Sequence, residues 1–274
     1  MKKRLPIIIG IIIAVIITTL AIFSIRGKDL SLNKQGSQEN TASRLEILNQ
    51  AVQQEDRDNL LEAISLYKKL VHDFSNSPQV EDWQKKIWDL NIRLLFSPIA
   101  TEDSIIYKVN SGESLVKIAK KFNTTVELLK RSNGLLSDKI ITGKRLKVWT
   151  QPFNIVIDKS QNILLLKTND DVIRTYIVST GMNNSTPIGN FKIVNKLVNP
   201  TWFKDGVVIP PESPDNILGT RWMGFDLDDY GIHGTTDNET LGQQITLGCV
   251  RMSNSDVEEL FAIVPTGTKV TVVD

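Results

Sequence analysis

The stretch ITLGCVRMSNSD, from Ile245 to Asp256, contains the only cysteine of this 274-residue chain, Cys249. A single cysteine excludes an intramolecular disulfide. With two histidines in the sequence, the usual four-ligand Cys/His zinc site cannot be assembled from cysteines either. No metal and no organic cofactor is expected. Cys249 is therefore either a buried, inert thiol, the ordinary state of a free cysteine, or a nucleophile.

The neighbours of Cys249 favour the nucleophile. Gly248 removes a side chain beside the sulfur, so a substrate carbonyl can approach and backbone N–H groups can face it. Arg251 brings a permanent positive charge near a group whose reactive form is the thiolate. The residues between Ser253 and Val264 have helical spacing and a serine or aspartate cap. The sequence thus places Cys249 just before a helix, whose N-terminal partial charge also favours the thiolate.

A nucleophilic cysteine needs a base, and the sequence offers two histidines. His72 lies in LYKKLVHDF, whose spacing predicts a helix, so a surface position near the helix end is expected for it. His233 lies in GIHGTT, where glycines on both sides indicate a strand that runs into a tight loop. A histidine there can offer one ring nitrogen to the thiol while a backbone carbonyl holds the other. We therefore predict His233 as the base.

These residues carry a family resemblance. IHGT at 232–235, followed by TLGCVRMSNSD at 246–256, resembles the signature of the L,D-transpeptidases, the YkuD family of bacterial peptidoglycan enzymes. VSTGMNNSTPIGNFKIVNKLVNPTW at 178–202 is similar to the same family's strand, Thr-Pro-x-Gly turn and following strand. The resemblance implies that carbapenems acylate the cysteine. The predicted site consists of Cys249, His233, Gly234, Gly248, Arg251 and Thr246.

Two positions depart from the commonest form of the signature. Thr246 stands where the family often has serine, and Leu247 stands where it often has histidine. The first change keeps the hydroxyl group, whereas the second removes a polar side chain.

The pattern of the last part of the chain predicts a mainly-β catalytic domain at 152–274. FNIVIDKSQNILLLKT (153–168) indicates two strands joined by a hairpin at DKSQN, and VIRTYIVST (172–180) indicates a third. FKIVNKLV and, at 268–273, TKVTVV add further strands.

The N-terminus predicts export. An apolar run from Leu5 to Ile25 has about the length that spans a bilayer as a helix, and Lys2, Lys3 and Arg4 precede it. We expect residues 1–26 to be a cytoplasmic basic tip and an uncleaved transmembrane signal anchor rather than a cleaved signal peptide, with a polar linker at 27–41. The expected location is the bacterial inner membrane, single-pass, with the catalytic domain periplasmic or extracytoplasmic. The net charge of +1 predicts no nucleic-acid partner.

Residues 42–98 show apolar residues at helical spacing, interrupted at SNSP. EAISLYKKLVHDFSNSP is similar to a tetratricopeptide unit, although such units normally stack in arrays. The segment is either a helical spacer that buries its own apolar stripe or a module that binds a protein partner. The predicted stripes are Leu60, Ala63, Ile64, Tyr67 and Leu70 or Val71, and Trp83, Ile87, Leu90 and Leu94.

Residues 105–149 contain a second resemblance. YKVNSGESLVKIAKKFNTTVELLKRSNGLLSDKIITGKRLKV, from Tyr107 to Val148, resembles a LysM domain. Its capping signals predict strand, helix, helix, strand. The resemblance implies binding of N-acetylglucosamine-containing glycans such as peptidoglycan, in a groove between the SGES and NGLLS loops. We expect this module to supply affinity for the wall and no chemistry, so that its deletion would spare catalysis.

The predicted fold class is thus multidomain α+β, with an N-terminal transmembrane helix, a short tetratricopeptide-like helical segment, a βααβ LysM module and a mainly-β L,D-transpeptidase catalytic domain. The predicted function is formation of peptidoglycan cross-links between stem peptides through a cysteinyl thioester. Three alternatives remain open: an L,D-carboxypeptidase, if water resolves the thioester; a lipoprotein-attaching transpeptidase, if a protein lysine does; or a non-catalytic wall-binding scaffold.

Overall fold

The computed structural model describes residues 30–204 and 206–274. The chain divides into two compact units, one ending at Leu90 and the other running from Asn91 to Asp274. The first contains helices α1 (Leu30–Asp56) and α2 (Leu60–Asp73), and helix α3 (Val80–Leu95) begins in it. Helix α1 covers residues 30–41, most of the segment predicted as a linker.

The apolar stripes of α2 and α3 are buried nearly as the sequence predicts. In α2 the stripe uses Leu70 and leaves Val71 partly exposed, and in α3 Leu94 is partly exposed as well. The periodic spacing explains this result, because residues three and four apart share one helix face. The buried members are Leu60, Ala63, Ile64, Tyr67, Leu70, Trp83, Ile87 and Leu90.

The predicted transmembrane helix is contradicted. Within residues 30–204 and 206–274, no helix is both long enough and apolar enough to cross a membrane. Helix α1 has the length, 27 residues, but its sequence LSLNKQGSQENTASRLEILNQAVQQED is polar and charged throughout, which a bilayer core excludes. The apolar run Leu5–Ile25 and the anchor 1–26 lie outside the described residues. The same finding contradicts the transmembrane helix in the predicted fold class and the predicted single-pass location in the inner membrane. It also gives no support to the membrane as a partner.

The second unit begins with a small α+β module in the order expected for LysM. Strands β1 (Ser104–Lys108) and β2 (Arg145–Trp149) pair antiparallel, with helices α4 (Leu115–Lys121) and α5 (Val126–Arg131) between them. Serine and threonine hydroxyls cap the two helices: Ser114 accepts from the Lys117 N–H at 3.3 Å, and Thr125 accepts from the Leu128 N–H at 2.8 Å. These caps are the signals that the sequence shows at both helix starts.

A larger sheet follows. In the described residues, eight strands pair in the order β13-β11-β10-β7-β14-β3-β4-β5. The pairs β11–β13 and β14–β3 are parallel and the other pairs are antiparallel. Helix α6 (Asn254–Ile263) begins at the Ser253 cap, whose hydroxyl accepts from the Asp256 N–H at 3.1 Å. The strands are β3 (Phe153–Asp158), β4 (Ile163–Thr168), β5 (Asp171–Ile177), β7 (Gly189–Val198), β10 (Arg221–Phe225), β11 (Gly231–His233), β13 (Val250–Arg251) and β14 (Lys269–Val273).

Shorter strands lie outside this sheet. Strands β6 (Thr180–Gly181) and β12 (Gln244–Thr246) pair in parallel. Strands β8 (Trp202–Lys204) and β9 (Val207–Ile209) form a hairpin. The β6–β12 pair matters for the site, because β12 leads directly into the turn that carries Cys249.

The LysM module and the catalytic sheet share one core. Leu128 of α5 is buried in the same apolar cluster as the residues of β3, β4, β10 and α6. The Thr125 hydroxyl, besides capping α5, donates to the carbonyl oxygen of Ala262 in α6. Trp149, the last residue of β2, stacks on Phe153 of β3 with ring centroids 5.4 Å apart. The two modules therefore pack against each other directly.

Candidate active site

Strand pairing sets His233 beside the segment that follows Cys249. Strands β11 and β13 run in parallel, with His233 opposite Arg251 and Ile232 opposite Val250. Residues opposite each other in a sheet share a face, so His233 and Arg251 lie on the same side. The charge of Arg251 acts on the pKa values of both Cys249 and His233, so it lies near both groups.

The sulfur of Cys249 is held by the turn before β11. Cys249 Sγ lies 3.3 Å from the carbonyl oxygen of Asp229, to which the thiol donates. The backbone of Gly231 lies near the sulfur as well and lowers the pKa of the thiol. Asp229 has φ +67°, a left-handed conformation that is uncommon outside glycine. Burial raises the pKa of Cys249 from 9.0 to about 11, and the charge of Asp229 adds to the rise, while the Gly231 N–H and Arg251 oppose it.

The imidazole of His233 has a defined tautomer. Nδ1 lies 2.7 Å from the carbonyl oxygen of Gly234. A carbonyl can only accept, so Nδ1 carries the proton and Nε2 keeps its lone pair. His233 is 2% exposed, and burial lowers its pKa from 6.5 to about 4. The positive charge of Arg251 acts in the same direction, whereas the bond to Gly234 opposes the shift.

Near neutral pH both groups are therefore uncharged. The sequence suggested that Arg251 and a helix N-terminus would favour a resting thiolate. Arg251 does lower the pKa of Cys249, but burial has the larger effect. Helix α6 begins only at Asn254, after strand β13, so its N-terminus is not adjacent to the sulfur. The helix contribution falls off within the first turn.

The turn before Cys249 is held by Thr246. Its hydroxyl donates to the carbonyl of Cys249 at 2.6 Å and accepts from the N–H of Gly248 at 3.2 Å. Both bonds need a hydroxyl, which serine also supplies. The N–H of Gly248 is thereby engaged, so an oxyanion hole in this turn has to use other N–H groups or displace that bond. Leu247 is 76% exposed.

Gly248 and Gly234 are required by close packing. Gly248 has φ +137°, and a Cβ there would lie 2.6 Å from Cε1 of Tyr230. A Cβ on Gly234 would collide with Oδ1 of Asn254. That oxygen accepts the N–H of Thr220 at 3.0 Å, which fastens the loop before β10 beside the His233 strand.

Arg251 is anchored at one end. Its Nη1 donates to the Thr240 hydroxyl at 3.1 Å, and its backbone N–H and C=O bond to Ser179 at 2.9 and 2.8 Å. In residues 30–204 and 206–274, its buried Nε has no hydrogen-bond partner. The guanidinium thus has one N–H group that is both buried and, among the described residues, unpaired.

The sequence missed several residues around this site. Asp229, Trp222, Asn195 and Asn254 act on His233 or Cys249 through contacts between strands and loops that are distant along the chain. Neither the left-handed backbone of Asp229 nor the packing of Gly224 and Gly231 against the Trp222 indole has a local sequence signal. In the part of the chain that the structure describes, no group of three or more His, Cys, Asp or Glu side chains could hold a metal ion.

Parts of this chain resemble known protein families. The YkuD L,D-transpeptidase catalytic domain matches residues 152–272, and the LysM domain matches residues 107–149. A Bacillus subtilis (strain 168) protein, YkuD, that bears an L,D-transpeptidase name is 31% identical over 175 residues, 61% of this chain and 98% of that protein. The chain belongs to the L,D-transpeptidase family. YqjB of the same organism, which bears the same kind of name, is 39% identical over 126 residues, 44% of this chain and 70% of that protein. The solved structure of an L,D-transpeptidase from Mycobacterium smegmatis is similar with a TM-score of 0.39 and 17% identity, over 49% of this chain and 65% of that chain.

The family resemblance noted at IHGT and TLGCVRMSNSD is confirmed, and so is the LysM resemblance. The enzyme class, a transpeptidase, is confirmed at the same level. The roles of individual residues are argued from the geometry below.

Proposed function

We propose that this L,D-transpeptidase cross-links peptidoglycan stem peptides through a thioester on Cys249. The observation that carries the proposal is the pairing of β11 with β13. It sets His233 opposite Arg251, two residues after Cys249, and the Nδ1 of His233 bonds to Gly234, which leaves Nε2 as the proposed base. A nucleophile, a base and a group that orients the base are the parts that covalent acyl transfer needs.

The first half-reaction forms the acyl-enzyme. Nε2 of His233 accepts the thiol proton as the sulfur attacks the carbonyl carbon of the third stem residue. The tetrahedral intermediate collapses by breaking the bond to the following D-alanine, and His233 returns the proton to the departing amine. Backbone N–H groups of the turn would stabilise the oxyanion, each such donor typically contributing about 3 kcal/mol.

The second half-reaction regenerates the thiol. An amine of a neighbouring stem attacks the thioester carbonyl while neutral His233 accepts a proton from it. The carbon–sulfur bond breaks, the sulfur takes up the proton, and an amide links the two stems. Because the pKa of His233 is lowered to about 4, the imidazole is already neutral and can act as base at the start of both half-reactions.

Arg251 and Thr246 have different roles in this proposal. Arg251, whose charge acts on both Cys249 and His233, orients the site. Thr246 holds the backbone of the turn that presents Cys249 and does not touch the substrate.

The LysM module is proposed to bind the glycan of the same polymer. Glu113, which stands where that family more often has aspartate, accepts from the Tyr107 hydroxyl at 2.7 Å and from the Asn110 N–H at 2.8 Å. Its carboxylate is thus part of the module's own structure. The helical segment at 42–98 remains a candidate site for a protein partner.

The test is incubation of the full chain with purified muropeptides, followed by mass spectrometry of the products. A dimer whose mass is that of two stems less one D-alanine supports the proposal. Loss of D-alanine without dimers would identify a carboxypeptidase, and transfer to a lysine-containing protein acceptor would identify a lipoprotein-attaching enzyme. Absence of every product, or equal activity of Cys249→Ala, would contradict catalysis at this site.

A further inference from the structure

The indole of Trp222 packs against the imidazole of His233 in the proposed site. Strand β10 lies between β7 and β11, with Trp222 opposite His233 on one side and Leu197 on the other. Two residues along the strand, Gly224 lies opposite Gly231 and Asn195. Opposed residues share a face of the sheet, and so do residues two apart on one strand, so all of these residues lie on the same face as the catalytic imidazole.

Hydrogen bonds fix the ring in place. Nε1 of Trp222 donates to Oδ1 of Asn195 at 3.0 Å, and the N–H of Gly224 donates to the same oxygen at 3.2 Å. Both partners are donors, so the amide orientation of Asn195 follows from its neighbours. One carboxamide oxygen thus ties the indole to its own strand.

The two glycines make room for this ring. A Cβ on Gly224 would lie 2.6 Å from Oδ1 of Asn195 and 2.9 Å from Nε1 of Trp222. A Cβ on Gly231 would lie 2.9 Å from Cζ2 of the same indole. The ring therefore lies against the backbone of both glycines, a position that any larger residue would block.

The same ring contacts both halves of the dyad. It stacks on the imidazole of His233, with ring centroids 6.1 Å apart and planes 19° from parallel. It also lies against Gly231, whose backbone lowers the pKa of the Cys249 thiol. We propose that Trp222, held by Asn195, is a positioning residue that keeps water from His233 and fixes the Gly231 backbone beneath the nucleophile. The kinetic part of this inference rests on the proposed function.

The charged groups near His233 do not replace the indole in this role. Strand β13 presents Arg251, whose charge disfavours imidazolium. On strand β10, Arg221 is next to Trp222 and so lies on the opposite face, where its guanidinium is 3.6 Å from Glu258 of helix α6. The Cys249 thiol is uncharged at neutral pH. Burial is the largest cause of the low pKa of His233, so removal of the covering ring is expected to raise that pKa towards 6.5.

The chain has two histidines, so an NMR titration of the full-length protein in a His72→Gln background follows His233 alone. We expect Trp222→Ala to raise the midpoint by at least about one pH unit, a tenfold change in proton affinity. Trp222→Phe keeps a stacked ring and is expected to stay within half that shift. Asn195→Ala, which frees the ring without removing it, is expected to give an intermediate shift. The control is Phe203→Ala, which removes a 73%-exposed ring on β8 and should leave the midpoint unchanged.

Unchanged midpoints in Trp222→Ala and Asn195→Ala would overturn the inference. If Trp222→Ala does not fold, Asn195→Ala still decides, because it retains the ring and only removes its hydrogen bond. The titration is independent of turnover. A shifted midpoint in a protein that forms no cross-links would refute the proposed function alone, and cross-linking with unshifted midpoints would refute only the role of Trp222.

Discussion

Cys249 and His233 are distinguished by where their protons lie at rest. Many reactive cysteines exist as thiolates beside a cation, but here burial holds the thiol protonated and the imidazole neutral. The thiol donates to the Asp229 carbonyl, so it has to leave that acceptor before Nε2 of His233 can take the proton. We therefore expect proton transfer to accompany nucleophilic attack. Such an arrangement keeps the sulfur unreactive until an acyl donor fills the site.

The first prediction concerns the nucleophile. Cys249→Ala should abolish acylation by a carbapenem, and Cys249→Ser should nearly abolish it, because a serine hydroxyl has no comparable anionic fraction near neutral pH. His233→Ala should slow the same step by a factor on the order of 10² to 10⁴, since it removes proton transfer. Intact-mass spectrometry measures the adduct, and one adduct is expected on the wild type. An adduct on Cys249→Ala would contradict the assignment.

The second prediction concerns acid. With a pKa of about 4 when folded and 6.5 when unfolded, His233 binds more protons in the unfolded chain between these values, so stability rises with pH in this window. The contribution is fully present above pH 6.5 and is lost as the pH falls through 4. It amounts to about 3 kcal/mol at most.

Urea unfolding at pH 4.5 and pH 7 measures this contribution, with His233→Gln as the matched variant. The wild type should lose more stability than the variant on going to the lower pH. In parallel, the acylation rate should stay nearly constant in mildly acidic solution and decline only as the pH approaches 4. A decline centred near pH 6.5 would show that His233 is hydrated and not buried as described.

At the scale of the element, the Thr246–Cys249 turn links strand β12 to strand β13. Strand β12 pairs with β6, which places Thr246 opposite Gly181, and Gly181 approaches Gly248 so closely that a Cβ on it would lie 2.9 Å from the Gly248 Cα. The turn is therefore fixed at both ends by strand pairing and within by one hydroxyl group. Its conformation is therefore set before any substrate arrives.

The third prediction tests that hydroxyl. Thr246→Val has almost the same shape but leaves the Gly248 N–H and the Cys249 carbonyl without their partner, which should cost about 1–3 kcal/mol. The acylation rate should fall with the stability, because the nucleophile is no longer held in place. Thr246→Ser keeps both hydrogen bonds and should retain most of the rate and stability in thermal melts and adduct kinetics. Equal behaviour of the valine and serine variants would show that the bonds are dispensable.

Element by element, the sequence predicted what depends on near neighbours in the chain. The caps at Ser114, Thr125 and Ser253 and the β3–β4 hairpin follow from contacts three residues apart or from strict alternation. Cys249 and His233 were found because glycines mark their turns. Trp222 over His233 and Asp229 against Cys249 depend instead on how β10, β11 and β13 align, and strand register has no local signature.

At the scale of the molecule, the LysM module is not a freely hinged attachment. The sequence suggested a module whose deletion would spare catalysis. In the structure Leu128 belongs to the catalytic core, Thr125 donates to Ala262 of α6, and Lys147 of β2 donates to the carbonyls of Leu94 and Ser97 at 2.7 and 2.9 Å. Lys147 is 2% exposed, so these bonds at the end of helix α3 are shielded from water. Removing residues 105–149 would leave apolar surface and polar groups on both sides uncovered.

The last prediction follows from that shared core. Leu128→Ala in the full chain removes a side chain that is 1% exposed and should cost about 2–5 kcal/mol. Because Leu128 packs into the catalytic cluster, the loss should lower the melting temperature of the carbapenem-acylated protein as well as that of the free enzyme. The matched control is Leu129→Ala, which removes an equally buried leucine from the LysM module's own cluster. If the two modules unfold as one unit, both variants should shift a single transition, and Leu128→Ala should also slow acylation. Two separate transitions, with Leu128→Ala leaving the acylated domain unaffected, would mean that the modules are coupled only through the chain.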